Sequence, residues 1–319
     1  MKVSVVGTGR VGSAIAFAVV LRRLADELVL VGKPAERAAG DAADLQHAAA
    51  MGRPMLVRAG GLDAAAGSDV VVIAASSGVP PAAAPDGRGG AAPMPDRMAE
   101  LRGNAAVFRE LLPPLVSLAP RAVYLVVSNP VDVLTGLTLQ LGAGVLSPRQ
   151  VIGTGTLIDT ARYRTLLAAR MGMHTNDIRA YVLGEHGERQ FPAVSCATAG
   201  GRPLAATPEG EAMCRQLGEQ ARSEGHRVFL AKGYTNYAIA AAVVMLLEAI
   251  AEDHRSVFPV STLLENYGGI DGVRGVCLSV PAVIGRGGVV QVIELELSAD
   301  ERASLAAGAA VVRSALESV

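Results

Sequence analysis

The sequence has no surplus of either charge. Its 29 Lys and Arg residues stand against 30 Asp and Glu, a formal net charge of −1, and the charges are scattered rather than blocked. Nucleic acid or an anionic membrane surface is usually met by a basic patch or stripe, so neither partner is expected. Cysteine is scarce too. Cys196, Cys214 and Cys277 are the three present, far apart and without CxxC spacing. An odd, unframed set points to a reducing compartment rather than a disulfide scaffold. Together with the five histidines they offer no metal-ligand spacing, and no metal is expected. Long apolar runs are also missing. "YAIAAAVVMLLEAIAEDH" is interrupted by Glu248 and falls short of the roughly 20 residues of a membrane span; it reads as a buried core helix. "KVSVVG" follows Met1 at once, leaving no room for a leader, so a cytoplasmic protein is expected.

What is present is apolar bulk and regular alternation. The 319 residues are 50% hydrophobic, enough for two ordinary domains with a large core. "KVSVV", "ELVLV", "SDVVVIAA" and "AVYLVVS" are short β-branched runs, and helix-length segments separate them. Such runs suit strands buried on both faces of a parallel sheet, and their spacing predicts right-handed βαβ units and a doubly wound sheet. The second half is expected to carry a helix over "TLIDTARYRTLLAARMG", a strand over "IRAYVLG", a long helix over about 209–230, two late strands and a terminal helix from about Ala299. Between "VVIAASSG" and Arg97 lies "VPPAAAPDGRGGAAPMPD", which has no apolar periodicity and no aromatic. That composition suits a surface insertion, and long loops in compact domains also serve as lids.

"VVGTGRVGSA" places Gly7, Gly9 and Gly12 in GxGxxG spacing between a strand and a helix. That context suits a pyrophosphate cradle: one glycine for the tight turn, one for close backbone approach, one for helix–strand packing. An acid that holds the ribose hydroxyls of NAD belongs about 20 residues on. Counting from Gly12 arrives instead at Gly32, followed by Lys33 and, nearby, Arg37. Without the carboxylate a 2′-phosphate is no longer repelled, and the two cations could meet it. The cofactor is therefore expected to be NADP or NAD, with NADP acceptance favoured; the alternative is NAD bound through other contacts, with Lys33 and Arg37 as plain surface cations.

Three further stretches share a theme. "SNPVDVLT" sets Asn129 at the carboxyl end of a strand; "GTGTLIDTARYR" carries Asp159 and Arg162 on one helix face; "YVLGEHGERQFP" puts His186 in a glycine-flanked loop. With the glycine turn, "DLQHA" and "KGYTNYAIA", they resemble the L-lactate/malate dehydrogenase family over nearly the whole chain. The resemblance implies a Rossmann-type doubly wound sheet in a dinucleotide-binding domain over 1–145, with an extended lid loop over 78–97. An α+β catalytic domain would occupy 146–319.

It implies reversible hydride transfer between NAD(P)H and a 2-oxo acid, giving an L-2-hydroxy acid. His186 is similar to the family's acid/base and Asp159 to the carboxylate that orients it. Arg162 resembles the residue gripping the substrate carboxylate, Arg97 the lid arginine, and Asn129 the substrate-orienting amide. Cofactor contacts are expected from Gly7, Thr8, Gly9, Arg10, Val11, Gly12, Gly32, Lys33, Arg37, Asn104, Val127 and Asn129. The family likeness further implies a homodimer or homotetramer, and suits a cis peptide at Asn129–Pro130.

The chain departs from the family at Gly32-Lys33 and in a longer lid. In the family a position shortly before the lid arginine reads the substrate, and neither Ala91 nor Pro81 or Ala82 offers a cation there. Thr235 is similar to the lactate branch. A lactate-like or bulkier monocarboxylic substrate is thus expected. The alternatives are malate dehydrogenase, with Arg88 meeting the distal carboxylate, and a non-catalytic NAD(P)-binding regulatory protein.

Overall fold

The computed structural model describes residues 1–52, 54–78 and 97–319. The first half runs β1 (Lys2–Val6), α1 (Arg10–Arg22), β2 (Glu27–Val31), α2 (Ala35–Ala50), β3 (Leu56–Ala59), β4 (Val70–Ile73), α3 (Arg97–Leu118), β5 (Val123–Val126), α4 (Val131–Leu141), β6 (Val151–Gly153) and α5 (Leu157–Met171). Five short strands follow: β7 (Ile178–Arg179), β8 (Val182–Leu183), β9 (Phe191–Pro192), β10 (Thr198–Ala199) and β11 (Arg202–Pro203). The chain ends with α6 (Pro208–Lys232), α7 (Tyr237–Glu252), β12 (Ser256–Leu264), β13 (Val276–Gly285), β14 (Gly288–Val292) and α8 (Ala299–Glu317).

The first six strands lie in the order β3-β2-β1-β4-β5-β6, all parallel. This is the doubly wound order expected of strands joined by helical crossovers, and its direction reverses between β1 and β4. Strand β4 shows why its sequence suits the place. Val70 and Val72 face a core shared with α1, α2 and α7, while Val71 and Ile73 face one shared with α3 and α4. Side chains alternate across a strand, so a strand covered on both faces needs an unbroken apolar run. Antiparallel β12, β13 and β14 extend the same sheet beyond β6. Helices α5 and α6 build a smaller core around Tyr163, Leu167 and Cys214.

The strand expected over "IRAYVLG" is two pieces. β7 pairs with β10, whereas β8 pairs with β9 in a separate sheet. The backbone of Val182 is claimed by α5: its N–H donates to the Thr160 hydroxyl at 2.9 Å and its carbonyl accepts from Thr156. Val182 still pairs with Pro192 of β9, and the break falls before it, where the Ala180 carbonyl accepts from Arg164 Nε of α5 at 2.8 Å. β12, which is not among the two expected late strands, pairs with β13 from Ser256 to Leu264. No helix among the described residues is long and apolar enough to cross a membrane. The lid positions Pro81, Ala82, Arg88 and Ala91 lie outside the described residues.

Candidate functional site

At the switch between β1 and β4 the chain makes its glycine turn. Gly7 has φ +99°, a backbone region open to glycine, and a Cβ there would stand 2.4 Å from the Ala75 nitrogen. A Cβ at Gly12 would stand 1.8 Å from the Gly7 carbonyl oxygen, so helix and turn meet with no room for a side chain. Gly9 differs: nothing lies within 4 Å of its would-be Cβ. Gly9 also caps α1 without any side-chain hydrogen bond, and the first turn of α1 contains no acid. The turn thus offers open space beside uncapped N–H groups and the positive end of a helix, which fits a pyrophosphate. Thr8 is buried and Val11 half-buried within it.

The guanidinium of Arg10 lies 4.3 Å from the ring centroid of Tyr234, which also receives the Lys232 ammonium at 4.5 Å. These cation–π contacts bring the loop carrying half-buried Thr235 against the glycine turn. At the end of β2, Lys33 is exposed and paired with Glu110 at 2.8 Å. Arg37 is exposed on α2.

Below the turn, Asn104 is buried and uses both ends of its amide. Oδ1 accepts the Ser77 N–H at 2.7 Å and Nδ2 donates to the Asn129 carbonyl at 2.6 Å. It braces the loops after β4 and β5 against each other. Val127 is half-buried after β5, and Asn129 is exposed ahead of a cis Pro130.

The second cluster sits where α5, α4 and the segment after β8 converge. Asp159, with 3% of its side chain exposed, points one oxygen at Arg162 Nη1 (2.8 Å) and the other at His186 Nδ1 (2.9 Å). His186 rides on a loop opened by Gly184, whose N–H and carbonyl bridge to Ser279 of β13. The His186 backbone N–H donates to Asp132 Oδ2 at 2.7 Å.

The charges of this cluster set one another. Burial alone would lower the His186 pKa, but the charge and hydrogen bond of Asp159, with Asp132 and Glu185, raise it to about 8. Burial likewise works against the Asp159 carboxylate, yet His186, Arg162 and Gln190 hold it below the ordinary aspartate range. For Asp132 burial prevails, raising its carboxyl to about 6 despite the His186 N–H. Burial set against opposite charges produces this pattern, the charges prevailing at His186 and Asp159 and burial at Asp132. Chemically, the cluster can present a proton on an imidazole and a guanidinium whose donors, apart from Nη1, make no hydrogen bond among the described residues.

Two contributors escaped sequence reasoning. Asp132 stands in the quoted "SNPVDVLT", where an acid in the first turn of a helix reads as a dipole complement. Gly225 of α6 leaves space for the Arg162 guanidinium: a Cβ there would stand 2.9 Å from Nη1. Nothing in the spacing of the sequence signals that contact. Arg97 begins α3, and its side chain, like Arg88, lies outside the described residues.

Fold and site together define an α/β protein with a dinucleotide cradle at the switch point of its sheet and a His–Asp–Arg cluster where α5 meets the loop after β8. Residues 1–153 match the family model described as lactate/malate dehydrogenase, NAD binding domain, and residues 156–319 match that of the lactate/malate dehydrogenase alpha/beta C-terminal domain. The chain belongs to the lactate/malate dehydrogenase family. Among its relatives is the L-lactate dehydrogenase of Deinococcus radiodurans, 39% identical over 98% of this chain and 97% of the relative. Another is the L-lactate dehydrogenase of a Synechococcus species, 35% identical over 100% of this chain and 99% of the relative. That of Gloeobacter violaceus is 35% identical over 100% of this chain and 93% of the relative.

Proposed function

We propose that this chain is an NAD(P)-dependent L-2-hydroxy-acid dehydrogenase that reversibly reduces a monocarboxylic 2-oxo acid, lactate-like or bulkier. The observation that carries the reading is the His186–Asp159–Arg162 cluster, in which one buried carboxylate meets both an imidazole and a guanidinium. The L-lactate dehydrogenase names of the relatives support the monocarboxylic side.

In this reading the nicotinamide, when bound, supplies the hydride. His186 holds the proton for the substrate oxygen on Nε2, since Nδ1 faces Asp159, and takes it back in the reverse direction. Asp159 fixes the ring and favours the imidazolium. Arg162 receives the substrate carboxylate on a planar fork that an ammonium cannot imitate. Asn129, Thr235 and Arg97 complete the substrate site, Arg97 from the lid side. The turn from Gly7 to Gly12, Asn104 and Val127 hold the cofactor. Gly32 in place of an acid, with Lys33 and Arg37 alongside, favours acceptance of NADP as well as NAD.

The domain division falls near 145–146. Exposed Phe17 and Leu21 on α1 and Met245 on the adjacent α7 suit a second copy, in a homodimer or homotetramer measurable by light scattering.

The test is a panel of pyruvate, branched 2-oxo acids and oxaloacetate with NADH and NADPH, followed by loss of reduced-nicotinamide absorbance. Turnover of monocarboxylic acids, sharply reduced by His186→Ala, is expected. Oxaloacetate as best substrate, weakened by Arg88→Ala, would instead support the malate reading. Cofactor binding with no turnover of any acid would support a regulatory role.

A further inference from the structure

Gly32, at the end of β2, looks directly onto the glycine turn. A Cβ on residue 32 would stand 2.1 Å from Thr8 Oγ1 and 3.1 Å from Thr8 Cβ. The volume that a ribose-binding acid would fill is therefore already taken by the Thr8 side chain. Thr8 is only 5% exposed, and its hydroxyl makes no hydrogen bond among the described residues. It stands one residue from Gly9, where the turn is open.

We infer that Thr8 reads the adenosine ribose in this chain, standing in for the side chain that position 32 lacks. The inference rests on the glycine turn being the dinucleotide cradle. A carboxylate can only accept hydrogen bonds, and it repels phosphate. A hydroxyl both donates and accepts, so Thr8 can accept from a 2′-hydroxyl or donate to a 2′-phosphate. Tolerance of both cofactors follows from that dual capacity. Lys33 adds a smaller bias: its ammonium is held by Glu110 at 2.8 Å, so a 2′-phosphate must compete with that carboxylate for it. Position 32 and position 8 thus form one unit, and changing only one of them leaves a collision or a void.

The test is calorimetric titration of the full chain with adenosine 5′-monophosphate and adenosine 2′,5′-bisphosphate, beside NADH and NADPH, with melting temperature as a folding control. Wild type should bind both fragments. Thr8→Ala should weaken both by roughly three- to tenfold, the value of one hydrogen bond, and Thr8→Ser should restore them. Gly32→Asp alone should lower the melting temperature and improve neither fragment. Gly32→Asp combined with Thr8→Gly should recover stability and favour the monophosphate over the bisphosphate by about tenfold or more. Dinucleotide binding with Thr8→Ala indistinguishable from wild type would overturn the inference alone, as would Gly32→Asp gaining discrimination without loss of stability. Failure of wild type to bind either dinucleotide would remove the cradle reading as well.

Discussion

At the end of β2, Lys33 and Glu110 meet with 84% and 65% of their side chains exposed. Where α5 meets the loop after β8, Asp159 has 3% exposed and touches both an imidazole and a guanidinium. The distances are nearly equal, yet the consequences differ. Water screens the first pair, and exposed pairs of this kind contribute about 0–1 kcal/mol. The second is fixed by packing and moves its partners' proton affinities: His186 rises to about 8 while Asp159 falls. A buried pair thus keeps its geometry and shifts its partners' proton affinities, whereas an exposed pair does little of either.

His186→Ala should strike that contrast hardest. It removes the proposed proton carrier, and keto-acid reduction should fall by about 10² to 10⁴-fold while cofactor affinity, measured by calorimetry, stays within about twofold. Equal loss of both would merge the two regions. Arg162→Lys comes next. It keeps the charge but loses the planar fork, and steady-state kinetics should show KM for the keto acid rising by roughly ten- to a hundredfold, with a smaller change in kcat.

Asp132→Asn sharpens the picture from behind the site. The shape that receives the His186 N–H at 2.7 Å remains, but the charge is gone. kcat should fall by about three- to tenfold, with KM little changed and the apparent pKa of His186 lower. Glu110→Gln should have the smallest effect. It releases Lys33 and should improve NADPH over NADH by no more than about fivefold, an effect that shrinks further at high salt.

Much of this architecture can be read from the residues. β-branched runs at βαβ spacing mark β1, β2, β4 and β5 because a doubly covered strand tolerates little else. Helix α8 begins at Ala299, the expected residue, since Ser298 and Glu301 form a capping box. The family phrases around Asn129, Asp159 and His186 mark the candidate site. Three-dimensional adjacency is what spacing alone does not carry. An apparently continuous strand breaks at Ala180, whose carbonyl is taken by Arg164 of α5. Asp132 looks like an ordinary first-turn acid until its oxygen is found on the His186 N–H. Gly225 and Arg162, or Thr8 and Gly32, are neighbours only once helices and turns have packed. Arg88 and the Arg97 side chain remain expectations of sequence and family alone.

The coupling of His186 to a buried carboxylate is most directly tested by the pH dependence of kcat/KM for keto-acid reduction, in wild type and in Asp159→Asn. A group whose pKa is raised in the folded protein keeps its proton below that value and loses it above. Wild-type reduction should therefore be level on the acid side and decline through about pH 8, the value set at His186. In Asp159→Asn burial is left with less opposition, and the decline should begin at lower pH. A wild-type decline centred on the ordinary histidine value of about 6.5, or one that stays in place when Asp159 is neutralised, would contradict the account.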